Sequence, residues 1–307
     1  MGAALPELLT GRAADLGDGT FVTRLLPTRR LRTVGPWCFL DSYRLSAVGD
    51  LPGMQVAPHP HVGLETVTFL VDGQLRHRDS LGSDALVGPG EVSLMTAGAG
   101  IVHSERSPGG HGPVLHGVQL WAALPDHARG VAPAYRHATD LPTVRLGASS
   151  CRVLLGSFAR VSSPLATRAP GLAVELVLRA SAPRTTGPVA LDPSHEHVVI
   201  VLDGSADLVS GGTRTTRPVG PGELVVPAAG TEEISIESPS GARLLLLGGP
   251  PLGEEILVWW NFVARSSEEI GAARARWEDG GFGSVPGDDA PPVPAPPLPS
   301  VRLRARR

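Results

Sequence analysis

Two halves of this chain repeat one pattern, and that repetition limits the fold more than any other feature. Val67-Thr68-Phe69-Leu70-Val71 runs into Asp72-Gly73, and Pro89-Gly90-Glu91 opens Val92-Ser93-Leu94. Later, Val198-Val199-Ile200-Val201-Leu202 runs into Asp203-Gly204, and Pro221-Gly222-Glu223 opens Leu224-Val225-Val226. Apolar, β-branched runs bounded by Asp-Gly and Pro-Gly read as strands bounded by turns. The interval between the two elements is nearly the same in both halves. Two long copies predict a duplicated barrel, because a solenoid needs shorter and more numerous repeats. The 38 glycines and 30 prolines suit short strands and tight turns. Aromatics are only 4% of the chain, so the cores must be mainly Val, Leu, Ile and Ala.

Two short segments of the first half carry metal chemistry: His59-Pro60-His61 and His103-Ser104-Glu105. Residues i and i+2 of a strand share a face, about 6.5–7 Å apart. If both strands face the inside of one barrel, three imidazoles and one carboxylate converge on one ion. Such a set suits iron, manganese, nickel, copper or zinc, and leaves positions open for water, dioxygen or a substrate oxygen. Glu65 has the same parity as His59 and His61, which makes it a second candidate carboxylate, as an outer partner or a ligand. Either Glu105 or Glu65 is placed to take a substrate proton.

His195-Glu196-His197 looks like another metal motif, but its register is wrong. With Asp72-Gly73 aligned on Asp203-Gly204, His59 falls on Ala190, His61 on Asp192 and Glu65 on Glu196. With Gly90 on Gly222, His103 falls on Ser235. A surface or loop role is expected for His195 and His197.

At its metal motifs the chain resembles the pirin family of the cupin superfamily. The matching stretches are His59 to Thr68 and Met95 to Glu105, with Val34-Gly35-Pro36, Leu40-Asp41, Gln119-Leu120-Trp121 and Leu124-Pro125. Glu269-Ile270 and Gly280-Gly281-Phe282-Gly283 extend the likeness, which is strong over residues 24–137 and weaker from there to about 285. The resemblance implies an all-β bicupin of two antiparallel, jelly-roll-type barrels. It implies one metal, usually Fe(II), held by His59, His61, His103 and Glu105. It also implies either a quercetin 2,3-dioxygenase acting on a flavonol or related phenolic with dioxygen, or a non-enzymatic iron-binding regulator that contacts a protein partner. Val258-Trp259-Trp260-Asn261-Phe262-Val263 departs from the family's usual small, Gly-Pro-containing sequence.

Residues 1–140 are thus expected to form the metal-bearing barrel, and 141–287 a barrel without metal plus a short helix. Ser266 and Glu269 have capping-box spacing at the start of that helix, and Gly280-Gly281 ends it. Residues 288–307, rich in Pro and then Arg, are expected to be disordered. The net charge of −3 gives no electrostatic reason to expect nucleic-acid binding, and all 27 basic residues are Arg. Cys38 and Cys151 lack partners at metal-site spacing and read as buried thiols. Met1 to Pro6 has no signal-peptide pattern, and no apolar run approaches a membrane span. A cytoplasmic protein without membrane contact is expected.

Overall fold

The computed structural model of the chain describes residues 6–16, 20–46, 53–109, 114–147, 149–180, 186–210 and 212–305. Met1 to Leu5, Arg306 and Arg307, which entered the sequence reading, lie outside the described residues. The architecture is all-β, with one helix, Ser267–Glu278, among the described residues. Among the described residues, no helix is long and apolar enough to cross a membrane. The chain divides into two compact units.

One unit comprises residues 1–13, 23–42 and 140–252. Its larger sheet has the order Glu7–Thr10, Glu223–Val226, Glu196–Gly204, Ala242–Gly249, Leu172–Leu178, Ser149–Leu155, Thr143–Leu146. A smaller sheet has the order Val189–Ala190, Glu233–Glu237, Asp207–Ser210, Thr213–Arg214. Alternate residues of both sheets meet in one core, among them Val199, Val201, Ile234, Ile236, Leu244 and Leu246. Each such side chain stabilises the fold by about 1.5–3 kcal/mol relative to exposure. Cys151 belongs to this core, and burial pushes its thiol up to about 11. Cys38 is buried as well.

The other unit comprises residues 14–22, 43–139 and 253–307. Its smaller sheet has the order Gln55–His61, Ile101–Arg106, Leu75–Asp79, Asp84–Val87. Its larger sheet carries Ala134–Ala138, Val92–Thr96, Leu64–Asp72 and Val114–Ala123 in that order. The repeated turns have one physical cause in both halves. Gly73 and Gly204 hold φ of +81° and +73°. A Cβ would sit 2.5 Å from the Val114 carbonyl oxygen at the first and 2.3 Å from that of Gly241 at the second. Only glycine combines that backbone with that approach.

The helix is capped as its sequence predicts. The Ser266 side chain accepts the Glu269 N–H, and Ile270 and Trp277 are buried. Glu269 in turn accepts the N–H of Arg265, at 2.9 Å. Ahead of it, the hairpin Leu257–Trp259 and Phe262–Ala264 contributes Leu257, Phe262 and Ala264 to the apolar cluster under the helix.

Two expectations about organisation need correction. The units are not the contiguous blocks 1–140 and 141–287. Glu7–Thr10 pairs with Glu223–Val226, so the first described strand belongs with residues 140–252, while the helix belongs with residues 43–139. Strand pairing follows open sheet edges, not chain order.

The segment after residue 287 is also not free. Asp288 accepts two bonds from Arg106, at 2.6 and 2.9 Å. The Trp277 indole donates to the Val293 carbonyl at 3.0 Å, and the Val293 N–H donates to Pro58 at 2.8 Å. Ala295, Leu303 and Ala305 pack against the helix cluster. A proline-rich segment lacks donors for a core of its own, but its carbonyls accept bonds from other elements. Deleting residues 288–307 should therefore cost about 2–4 kcal/mol, a fall of roughly 5–10 °C in Tm. An unchanged thermal melt would show the segment to be dispensable.

Candidate metal centre

The three sequence-predicted histidines converge. His59 and His61 end the strand Gln55–His61, and His103 lies on Ile101–Arg106 beside it. Antiparallel register sets His103 directly opposite His59, and Ile101 opposite His61. The ring centroids are 4.3 Å apart for His59–His103, 5.0 Å for His61–His103 and 5.1 Å for His59–His61. One ligand-type nitrogen from each lies within 4.8 Å of the others. All three side chains are buried.

The electrostatics favour the ligand form of each ring. Burial lowers His59 to about 4, partly offset by its bond to the Ala57 carbonyl. Burial, reinforced by neighbouring imidazoles, holds His61 and His103 well below the ordinary value. Neutral imidazole is the form that binds a metal. His59 Nδ1 lies 2.9 Å from the Ala57 oxygen and His61 Nδ1 3.1 Å from the Asn261 oxygen. A carbonyl only accepts, so each Nδ1 carries the proton and each Nε2 keeps its lone pair. His103 Nε2 is buried with no hydrogen-bond partner among the described residues. Such an orphan costs about 1–3 kcal/mol unless a ligand engages it. These donors fit a divalent transition metal.

Glu105 lies two residues after His103 and is buried, but it is not in the cluster gathered within 4.8 Å. Thr68 Oγ1 donates to Glu105 Oε1 at 3.1 Å and lies 2.8 Å from the side-chain amide of Gln119. Burial raises its pKa, against the lowering effects of His77 and Thr68. One extra residue on the neighbouring strand, between Val56 and His59, sets Val56 opposite Glu105, while on the other side Glu105 faces His77 in unbroken register. Trp121 packs edge-on against His61, with centroids 5.0 Å apart.

Glu65 requires a correction. Its parity was carried over from His59 and His61, yet the strand ends at His61 and a new one starts at Leu64 in the other sheet. Gly63, at φ +73°, resets the phase between them. Thr68 faces Glu105, so Glu65, three residues earlier, points to the opposite face of its strand. There Thr96 Oγ1 donates to Glu65 Oε1 at 2.7 Å. Glu65 is a buried acceptor on that face, outside the three-histidine group.

His77 and Asp79 were missed by the sequence reading, and both stand beside the centre. The strand Leu75–Asp79 pairs with Ile101–Arg106 so that Asp79 faces His103 and His77 faces Glu105. His77-Arg78-Asp79 has the same i, i+2 spacing that revealed the histidine pair. That spacing, applied to mixed His and Asp, was the available signal. The motif His195-Glu196-His197 behaves differently. His195 pairs with Asp192 at 3.6 Å, and Glu196 accepts the Gly35 N–H at 2.6 Å, whereas His197, expected at the surface or in a loop, is buried on the strand Glu196–Gly204 opposite Gly248.

A pH dependence follows. The metal-free fold keeps His59 neutral down to about 4, whereas an unfolded histidine protonates near 6.5. The unfolded chain therefore takes up protons first as pH falls. Stability is complete above about 6.5 and is lost towards 4, by roughly 3 kcal/mol for His59 alone. Urea melts of metal-free protein at pH 7.5, 6 and 5 should show a falling midpoint; a flat midpoint would contradict the burial argument.

Two family models match this chain, Pirin over residues 19–122 and the Pirin C-terminal cupin domain over residues 179–283. A Pseudomonas aeruginosa protein named "Putative quercetin 2,3-dioxygenase" is 39% identical over 297 residues, covering 96% of this chain and 91% of that protein. A pirin-like protein of Caulobacter vibrioides is 34% identical over 278 residues, covering 88% and 91%. The crystal structure of quercetin 2,3-dioxygenase from Acinetobacter baumannii is 38% identical and superimposes with a TM-score of 0.87 over 98% of each chain. The all-β architecture with its two cupin-type domains is accordingly a bicupin, and the chain belongs to the pirin family.

Proposed function

We propose that this protein is a cytoplasmic, metal-dependent dioxygenase that opens the ring of a flavonol or related phenolic, with Fe(II) as its metal. The observation that carries the reading is the convergence of three neutral, buried imidazoles, one of them with an orphaned Nε2. The likeness to proteins named for quercetin 2,3-dioxygenase supports the substrate class. His59, His61 and His103 would hold the ion through Nε2, with Glu105 as the fourth ligand. A redox-active divalent ion supplies Lewis acidity towards a phenolate oxygen and electron exchange with dioxygen.

The chain's own residues do the rest. Glu105 is made more basic by burial, which suits its carboxylate to accept the proton of a substrate hydroxyl. Thr68 holds Glu105 in place. Iron-loaded protein should consume dioxygen with quercetin, and zinc-loaded protein should not, because zinc has no redox chemistry. No uptake by iron-loaded protein with flavonols, catechols and acidic diketones would overturn the reading. The alternative would then be a non-enzymatic iron-binding regulator with a protein partner.

A further inference from the structure

Two of the three histidines owe their orientation to backbone carbonyls, at Ala57 and Asn261. The third has no carbonyl partner among the described residues. His103 Nδ1 lies instead 3.4 Å from Nδ1 of His77, both side chains being buried. His77 Nε2 lies 3.0 Å from Asp79 Oδ2. A carbonyl accepts in every state, but an imidazole nitrogen accepts only when its own proton is on the other nitrogen. His103 therefore depends on the tautomer of its neighbour.

Asp79 fixes that tautomer. Its side chain is 0% exposed, and its Oδ1 accepts the N–H groups of Leu81 and Ser83 at 2.9 and 3.1 Å. Two backbone donors thus hold Asp79 as an acceptor. His77 must place its proton on Nε2 to donate to Oδ2, which leaves its Nδ1 bare. His103 then donates from Nδ1, and its Nε2 lone pair is left facing His59 and His61. The Tyr135 ring, stacked on His77 at 4.2 Å and 13°, sets the plane of the intermediate ring.

We infer that Asp79 and His77 are positioning residues that fix the tautomer and orientation of His103, so that its Nε2 serves as a metal ligand. The inference rests on the metal reading of the three-histidine cluster. It goes further in assigning to this one ligand a two-residue relay in place of a carbonyl. The relay has a failure mode that carbonyl-held histidines lack. An amide at position 79 would keep its oxygen on Leu81 and Ser83 and turn its NH2 towards His77. His77 would then carry its proton on Nδ1 and donate to His103, driving the His103 proton onto Nε2.

The test is Asp79→Asn in the full-length protein, with two readouts. Iron and zinc affinity, by chelator competition, should fall about 10–100-fold with little change in the circular dichroism spectrum. In metal-free protein, nitrogen NMR should show His103 as the Nδ1–H form in the wild type and shifted towards the Nε2–H form in the variant. His77→Phe is the second variant, since it keeps the stack on Tyr135 but offers no acceptor. It should lose affinity to a similar extent. Wild-type affinity in both variants, or an Nε2–H His103 in the wild type, would overturn the relay. If the wild type takes up no metal at all, the metal reading fails separately, and the tautomer of His103 alone decides the relay.

Discussion

His103→Ala is expected to reduce metal content from about one ion per chain to less than about a tenth of that, a larger loss than the 10–100-fold that outer partners cost. His103 is central to the cluster: it lies opposite His59 in the strand register and within 5.0 Å of His61 between ring centroids. Without it, two imidazoles on one strand remain, too few to enclose an ion. The vacated space is buried, so the variant will also be less stable, and metal content must be measured on folded material. A matched control separates the centre from the other histidine motif. His195→Ala with His197→Ala should leave metal content unchanged, since Asp192 and the Gly35 N–H engage His195 and Glu196 away from any cluster of three ligand groups among the described residues. Full retention in His103→Ala would remove the site assignment, and a loss of half or more in the double variant would place metal in the other unit.

The parts of the molecule that the sequence made legible are those governed by local rules. Asp72-Gly73 and Asp203-Gly204 mark turns because no other residue tolerates the backbone and the approach found there. His59 and His61 share a face because one uninterrupted strand carries them, and the same holds for His103 and Glu105. Local rules stop at a break in the chain: Glu65 does not share the phase of His61, because one strand ends at His61 and, after Gly63, the next begins in the other sheet. They stop too where pairing is non-local. Nothing near Glu7–Thr10 announces that its partner is Glu223–Val226. The tail was misread for a related reason: composition reports what a segment can bury by itself, not which carbonyls a distant Trp277 or Pro58 will engage. His77 and Asp79 fall between the two cases. Their spacing was visible, but their opposition to Glu105 and His103 exists only once the strands pair.

Glu105→Gln is expected to retain much of the metal yet lose activity on the order of 10²–10⁴-fold with a flavonol. The three imidazoles form a cluster without help from Glu105, which argues for retention. The substitution also preserves shape, because the amide oxygen can still accept from Thr68. What it removes is charge and basicity. A carboxylate beside a divalent ion neutralises part of its charge, and burial makes this one a stronger base than an exposed glutamate. An amide can do neither. The two quantities should therefore separate: metal per chain close to wild type, oxygen uptake per bound iron nearly abolished. Glu65→Gln gives the contrast, since Glu65 is bonded to Thr96 on the opposite face of its strand. That change should alter stability more than uptake per bound iron. Equal activity per iron in Glu105→Gln and wild type would exclude Glu105 as the proton acceptor. A variant that loses its metal instead would show that the carboxylate is indispensable to the ligand set, beyond what the three imidazoles provide.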